Sequence, residues 1–212
     1  MTELRELIEK VDLEGIRKLL LLHPELVNAG IALGSQDSRS AHPLHRICDG
    51  VYHKLYTDLD ARSMAELFMQ FGADVNGVDL AENQDSPLTA AASLAADLTG
   101  IYYIDNGANL SHAGCHGGTA LHWAAWCGRD ILVKRLIEAG APLEQRCKDF
   151  YSTPLFWAIH GYKFEGNSNG HYVACARLLV EAGAVKDTRN IDKLHVLELL
   201  GESDVALRSM LL

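Results

Sequence analysis

Residues 119–126 read Thr119-Ala120-Leu121-His122-Trp123-Ala124-Ala125-Trp126, and the phrase they open closes at Ala139-Gly140-Ala141. The opening words return along the chain. His-Pro-Leu-His stands at 42–45, Ser-Pro-Leu-Thr at 86–89 and Thr-Pro-Leu-Phe at 153–156, with a weaker Asp-Lys-Leu-His at 192–195. The leucines fall at 44, 88, 121 and 155, so the last two steps are 33 and 34 residues. The closing words return too, as Phe71-Gly72-Ala73-Asp74, Asn106-Gly107-Ala108-Asn109 and Ala182-Gly183-Ala184. A fixed period of this size marks a chain built from repeated structural units.

Each position in the phrase has a physical reason. The side-chain oxygens of Ser86, Thr119 and Thr153 are placed to cap helix N-termini. Pro43, Pro87 and Pro154 suit the first helical position, where no hydrogen bond is lost. Leu44, Leu88, Leu121 and Leu155 point inward, and the small Ala90–Ala92, Ala124, Ala125 and Ala158 admit a close neighbour. A second helix follows, as in Ile131-Leu132-Val133 with Leu136-Ile137, apolar at helical spacing. Gly72, Gly107, Gly140 and Gly183 supply the left-handed residue that ends it.

A phrase of this wording and period resembles the ankyrin-repeat family, whose unit of about 33 residues carries T-P-L-H-x-A. The resemblance spans essentially the whole chain. It implies an all-α ankyrin-repeat solenoid of stacked helix pairs, because one pair cannot bury its own face. It also implies a single repeat domain over 1–212: an N-terminal cap at 1–34, repeats at 35–80, 81–113, 114–146 and 147–186, and a C-terminal cap at 187–212. The N-terminal cap reads as two helices, Glu3 to Val11 and Asp12 to Leu22, turned by His23-Pro24. The C-terminal cap is expected to carry Glu198, Glu202, Asp204 and Arg208 on an outer face. His45 and His122 match the family's histidine and read as structural, bonded to neighbouring backbone.

Two repeats are too long. From the second position of the phrase to the closing glycine the repeats at 87–107 and 120–140 need 20 steps, whereas 43–72 and 154–183 need 29. Each long repeat therefore holds nine extra residues between its helices, near 49–58 and 161–170. The first is apolar enough to extend the first helix. The second is rich in Gly and Asn and reads as loop. Both are read as tolerated decoration, since insertion cost grows slowly with length. His42 in place of a capping Thr is expected to weaken its helix start, and Gly100 inside a helix to cost about 1 kcal/mol.

Composition bounds the function. The 212 residues carry 19 Lys and Arg against 28 Asp and Glu, a net charge of −9. Such a chain repels phosphates, and its positive charges are scattered, which disfavours nucleic acid. No apolar run is long enough to span a bilayer. The N-terminus lacks the basic and apolar regions of a secretory signal. The five cysteines, at 48, 115, 127, 147 and 175, are odd in number and lack a CxxC pair. Free thiols and a cytoplasmic location are expected from this.

No GxSxG, P-loop, HExxH or GxGxxG is present. One cluster invites a metal reading: His112, Cys115 and His116 precede Thr119, and Cys147 holds the matching place on the next turn. Adjacent tips are neighbours in a repeat stack, so these four form the alternative reading, a metal-binding or enzymatic site. In the blander reading Cys115 and His116 are exposed tips and Cys147 packs under its own turn. Cys48 and Cys175 read as core.

Binding is the expected activity, with no catalysis and no cofactor. In the ankyrin family the tips and the open face of the first helices make a concave surface for protein partners. Positions matching that face are Asp49, Ser93, Leu94, Trp126, Cys127, His160 and Gly161. The tips include Arg39, Glu82, Asn83, Cys115, His116, Asp149 and Phe150. Of these, Trp126, Cys127, His160, His116, Phe150, Asp149 and Ser93 are the expected partner-binding residues. Trp123 and Trp157 read as packing along the groove. The expected partner is a protein of basic character, met by a monomer.

Overall fold

The computed structural model describes residues 2–32, 40–77, 85–165 and 170–212. The expected tips Arg39, Glu82 and Asn83, and residues 166–169 of the second insertion, lie outside the described residues. The chain forms two compact units, Met1–Asn109 and Leu110–Leu212. The fold class is the expected one: all-α, built from successive helix pairs. Among the described residues no helix is long and apolar enough to cross a membrane.

The first unit starts with α1 (Thr2–Glu9) and α2 (Leu13–Leu22). Leu4, Ile8, Ile16 and Leu20 are buried at helical spacing, so each helix turns one apolar stripe inward. The carboxylate of Asp12 accepts from the Gly15 amide at 2.9 Å and starts α2. A two-residue antiparallel pair, β1 (Ile31–Ala32) with β2 (Ser40–Ala41), leads into α3 (Pro43–Tyr52) and α4 (Asp58–Gln70). The next pair is α5 (Pro87–Ser93) and α6 (Asp97–Asp105). First helices pack on first helices and second on second, α3 on α5 and α4 on α6.

His42 does not weaken its helix start. Its Nδ1 accepts from the Leu44 amide at 3.3 Å, and its Nε2 meets Asn28 Oδ1 at 3.0 Å. Burial depresses its pKa to about 4, so the ring is neutral at pH 7 and keeps the lone pair that capping needs. The start of α6 is supplied from outside its own segment. Ala96 at its N-cap offers no side-chain oxygen. The Asp58 carboxylate of α4 accepts instead from the amides of Leu98 and Thr99 at 2.6 and 3.1 Å, and from Thr99 Oγ1 at 2.7 Å. The expected soft spot around Gly100 is thus fastened to the preceding repeat.

The second unit holds α7 (Ala120–Trp126), α8 (Asp130–Glu138), α9 (Pro154–Phe164), α10 (Tyr172–Glu181) and α11 (Val205–Leu211). Here α9 packs on α7 and α10 on α8. Leu121, Leu132, Leu136, Leu155, Cys175 and Leu179 are each fully buried. His122 is structural, as expected. Its Nδ1 accepts from the Thr119 amide at 3.1 Å, and its Nε2 donates to the Ser152 carbonyl at 3.1 Å, tying one repeat to the next. The glycines closing the second helices, Gly72, Gly107, Gly140 and Gly183, have φ between +86° and +98°.

The extra residues of the long repeats go mainly into helix. In the first, α3 has ten residues and α4 thirteen, against seven in α5 and nine in α6. In the second, α9 has eleven against seven in α7. The segment 161–164, read from sequence as loop, is therefore the last turn of α9. It is held from the C-terminal side: Tyr162 Oη donates to Asp204 Oδ1 at 3.0 Å and Lys163 Nζ to Asp204 Oδ2 at 2.9 Å. Asp204 is accordingly not the outer-face residue expected of a cap; it is 8% exposed and also accepts from the Gly201 amide. Glu198 and Glu202 are exposed as expected.

Candidate functional site

Helical spacing makes the site. On α7, Trp123 and Trp126 are three residues apart and share a face; on α9, Trp157, His160 and Phe164 do the same at i, i+3 and i+7. Because α7 and α9 pack side by side, the two aromatic rows meet. Trp123 and Trp157 lie edge to face with centroids 5.1 Å apart, and Trp126 and Trp157 at 5.8 Å. Trp126 stacks on His160 at 4.9 Å, and the rings of His160 and Phe164 lie tilted with centroids 4.4 Å apart.

Two tips close the other end. His116 sits in the tight turn Cys115–Gly117, and Phe150 on the following tip; their rings are 5.5 Å apart. The tips are locked together, since the His116 carbonyl accepts from the amides of Lys148 and Asp149 at 3.0 and 3.2 Å. A Cβ on Gly117 would meet Lys148 at 2.4 Å, so this approach requires glycine. His116 itself has φ 56° and Tyr151 φ 51°, a left-handed backbone uncommon for residues with a Cβ. Such strain persists only where surrounding contacts hold it.

These elements enclose a cavity of about 220 Å³. Its walls are Trp123, Trp126, Trp157, Phe150 and Phe156, with His116 and His160; Ser152 and Asn190 complete the lining. The polar atoms around it are largely engaged elsewhere. Trp157 Nε1 donates to Cys147 Sγ at 3.4 Å, and Trp126 Nε1 to Glu165 Oε2 at 2.9 Å. Ser152 Oγ donates to the Phe150 carbonyl, and Asn190 Oδ1 accepts from the amides of Asp192 and Leu194. His160 Nδ1 is buried without a hydrogen-bond partner, and burial lowers the pKa of that ring. At the rim Asp149 Oδ2 lies 2.8 Å from His116 Nδ1.

Of the residues expected from sequence, Trp126, His160, His116 and Phe150 line this one cavity, and Asp149 reaches it through His116. Cys127 is the half-buried C-cap of α7 and is not part of the lining. Ser93 belongs to the first unit, where its Oγ donates to the Ala90 carbonyl. The alternative metal cluster does not assemble. Cys147 is turned under its own tip, where it also accepts from the Ser152 amide at 3.4 Å, and His116 faces Asp149. Among the described residues no three His, Cys, Asp or Glu side chains are placed to share a metal ion. Trp157, read as packing, is only 4% exposed yet also lines the cavity. Phe156 and Glu165 were not singled out from sequence. An aromatic at the fourth place of the phrase, where three of the five copies have His, was the signal for Phe156. Glu165 lies in the segment read as decoration.

An ankyrin-repeat family model matches residues 116–148. No curated protein matches the chain by sequence. Among solved structures, an ankyrin repeat domain from Acinetobacter baumannii AYE superposes with a TM-score of 0.76 at 25% identity, over 98% of this chain and 95% of that one.

Proposed function

Given that the chain is an ankyrin-repeat protein, we propose that it binds a protein partner on the open face of its first helices and performs no chemistry of its own. Ankyrin repeats are in general protein-interaction modules and typically not catalytic. The observation that carries the reading is the aromatic cavity between α7 and α9. Interface energy concentrates in buried aromatic anchors and the pockets that receive them. A net charge of −9 suits a partner of basic character, and a monomer acting in the cytoplasm fits the free thiols.

The test begins with capture of the partner from native extract by the full chain, followed by titration of variants. Trp126→Ala is expected to weaken binding by about 1–2 kcal/mol or more. It should lower stability less than Leu121→Ala does. Unchanged affinity in Trp126→Ala would move the site off this face.

A further inference from the structure

We propose that the cavity between α7 and α9 receives the methylated ammonium group of a modified lysine on the partner. The inference rests on the reading of this face as the partner's docking site and names what enters it. Three tryptophans and Phe150 surround a space of about 220 Å³, and no lining residue is Lys or Arg. Aromatic faces attract a cation through their quadrupole, Trp most strongly. The near-perpendicular settings of Trp157 against Trp123 (84°) and Trp126 (70°) make a corner of rings rather than a flat stack.

The hydrogen-bond inventory selects among cations. An unmodified ammonium brings three N–H donors and loses water on entry, so it needs acceptors. The wall offers few: Asn190 Oδ1 already accepts from two amides and the indole N–H groups only donate, which leaves Ser152 Oγ and the unpartnered His160 Nδ1 for three donors. A trimethylammonium has no N–H to satisfy and spreads its charge over methyl groups that fit an apolar wall. Charge is supplied at the rim. Glu165 accepts from the Trp126 indole and Asp149 from the His116 ring. The first of these bonds pushes electron density into the ring that the cation would face. A neutral alkyl group gains nothing from those carboxylates, and an anion would be repelled by them.

Isothermal titration calorimetry of the full chain tests this with four probes. They are N-acetyl-trimethyllysine amide, the unmethylated amide, the neutral isostere in which carbon replaces the ammonium nitrogen, and choline. The trimethyllysine probe is expected to bind at least about tenfold more tightly than the isostere or the unmethylated form. Trp126→Leu should abolish this binding and Glu165→Gln reduce it severalfold, with unchanged circular dichroism. Should Trp126→Leu fail to fold, Glu165→Gln alone carries the comparison. Equal binding of the isostere, or no binding of any probe, overturns the methylammonium assignment. Choline binding tenfold above the lysine probe overturns a protein source. In each of these cases the docking reading is judged separately, by the partner's own titration against Trp126→Ala.

Discussion

His122 and His42 show how much one side chain does when it is both buried and neutral. Each has a pKa near 4 in the folded chain, depressed first of all by burial, against about 6.5 when unfolded. Between those values the unfolded chain binds more protons, so stability is whole above pH 6.5 and falls as the pH drops toward 4. The loss is on the order of 3 kcal/mol for each ring. Denaturant titrations at pH 7 and pH 5 should show part of it, and His122→Gln should remove about half of the difference, leaving the share that belongs to His42. Packing is tested at the same scale. Leu121, fully buried, should cost about 2–5 kcal/mol when cut to Ala, whereas Cys115→Ser on the tip should cost under about 0.5 kcal/mol. Equal melting shifts would contradict the register of the repeats. The sequence made the role of His122 readable because the phrase repeats. The same logic misjudged His42: it scored a missing Thr and could not see that an imidazole lone pair reaches the same amide.

At the scale of elements, helix starts were legible where the cap is local and illegible where it is borrowed. Ser86 and Thr153 each accept from the amide three residues on, as a local rule requires. The start of α6 depends on Asp58, some forty residues earlier, and no window of sequence contains both. Asp58→Ala should therefore destabilise the chain by about 1 kcal/mol, read by chemical denaturation, although Asp58 lies in another helix. The same blindness explains Tyr162 and Lys163. Glycine- and asparagine-rich neighbours made them look like loop, while a buried carboxylate from the C-terminal segment holds them in α9. Gly161 belongs to this account: a Cβ there would meet the Trp126 carbonyl at 2.2 Å, so the glycine permits contact between α7 and α9 rather than a turn.

For the molecule as a whole, the repeat period made the fold plain and the candidate site half plain. Position in the repeat pointed to Trp126, His160, His116 and Phe150, which share one cavity. It could not distinguish an indole that packs from one that walls a space, because both occupy the same face; Trp157 does both. If the partner is basic, its association rate with this chain should fall as salt rises, since a net charge of −9 steers encounters only within a screening length of about 10 Å at 0.1 M. Stopped-flow mixing from low to high salt measures that slope, and a flat response would argue for an uncharged partner.

All three tryptophans of the chain stand in that single cluster, and none lies in residues 1–109. Indole emission is therefore an optical reporter of the second unit alone, while far-ultraviolet ellipticity sums the helices of both. Repeat proteins lose their parts stepwise when neighbouring units are unequal in stability. In a melt followed by both signals, the gap between the two curves reads directly how unequally the two halves of this chain hold together.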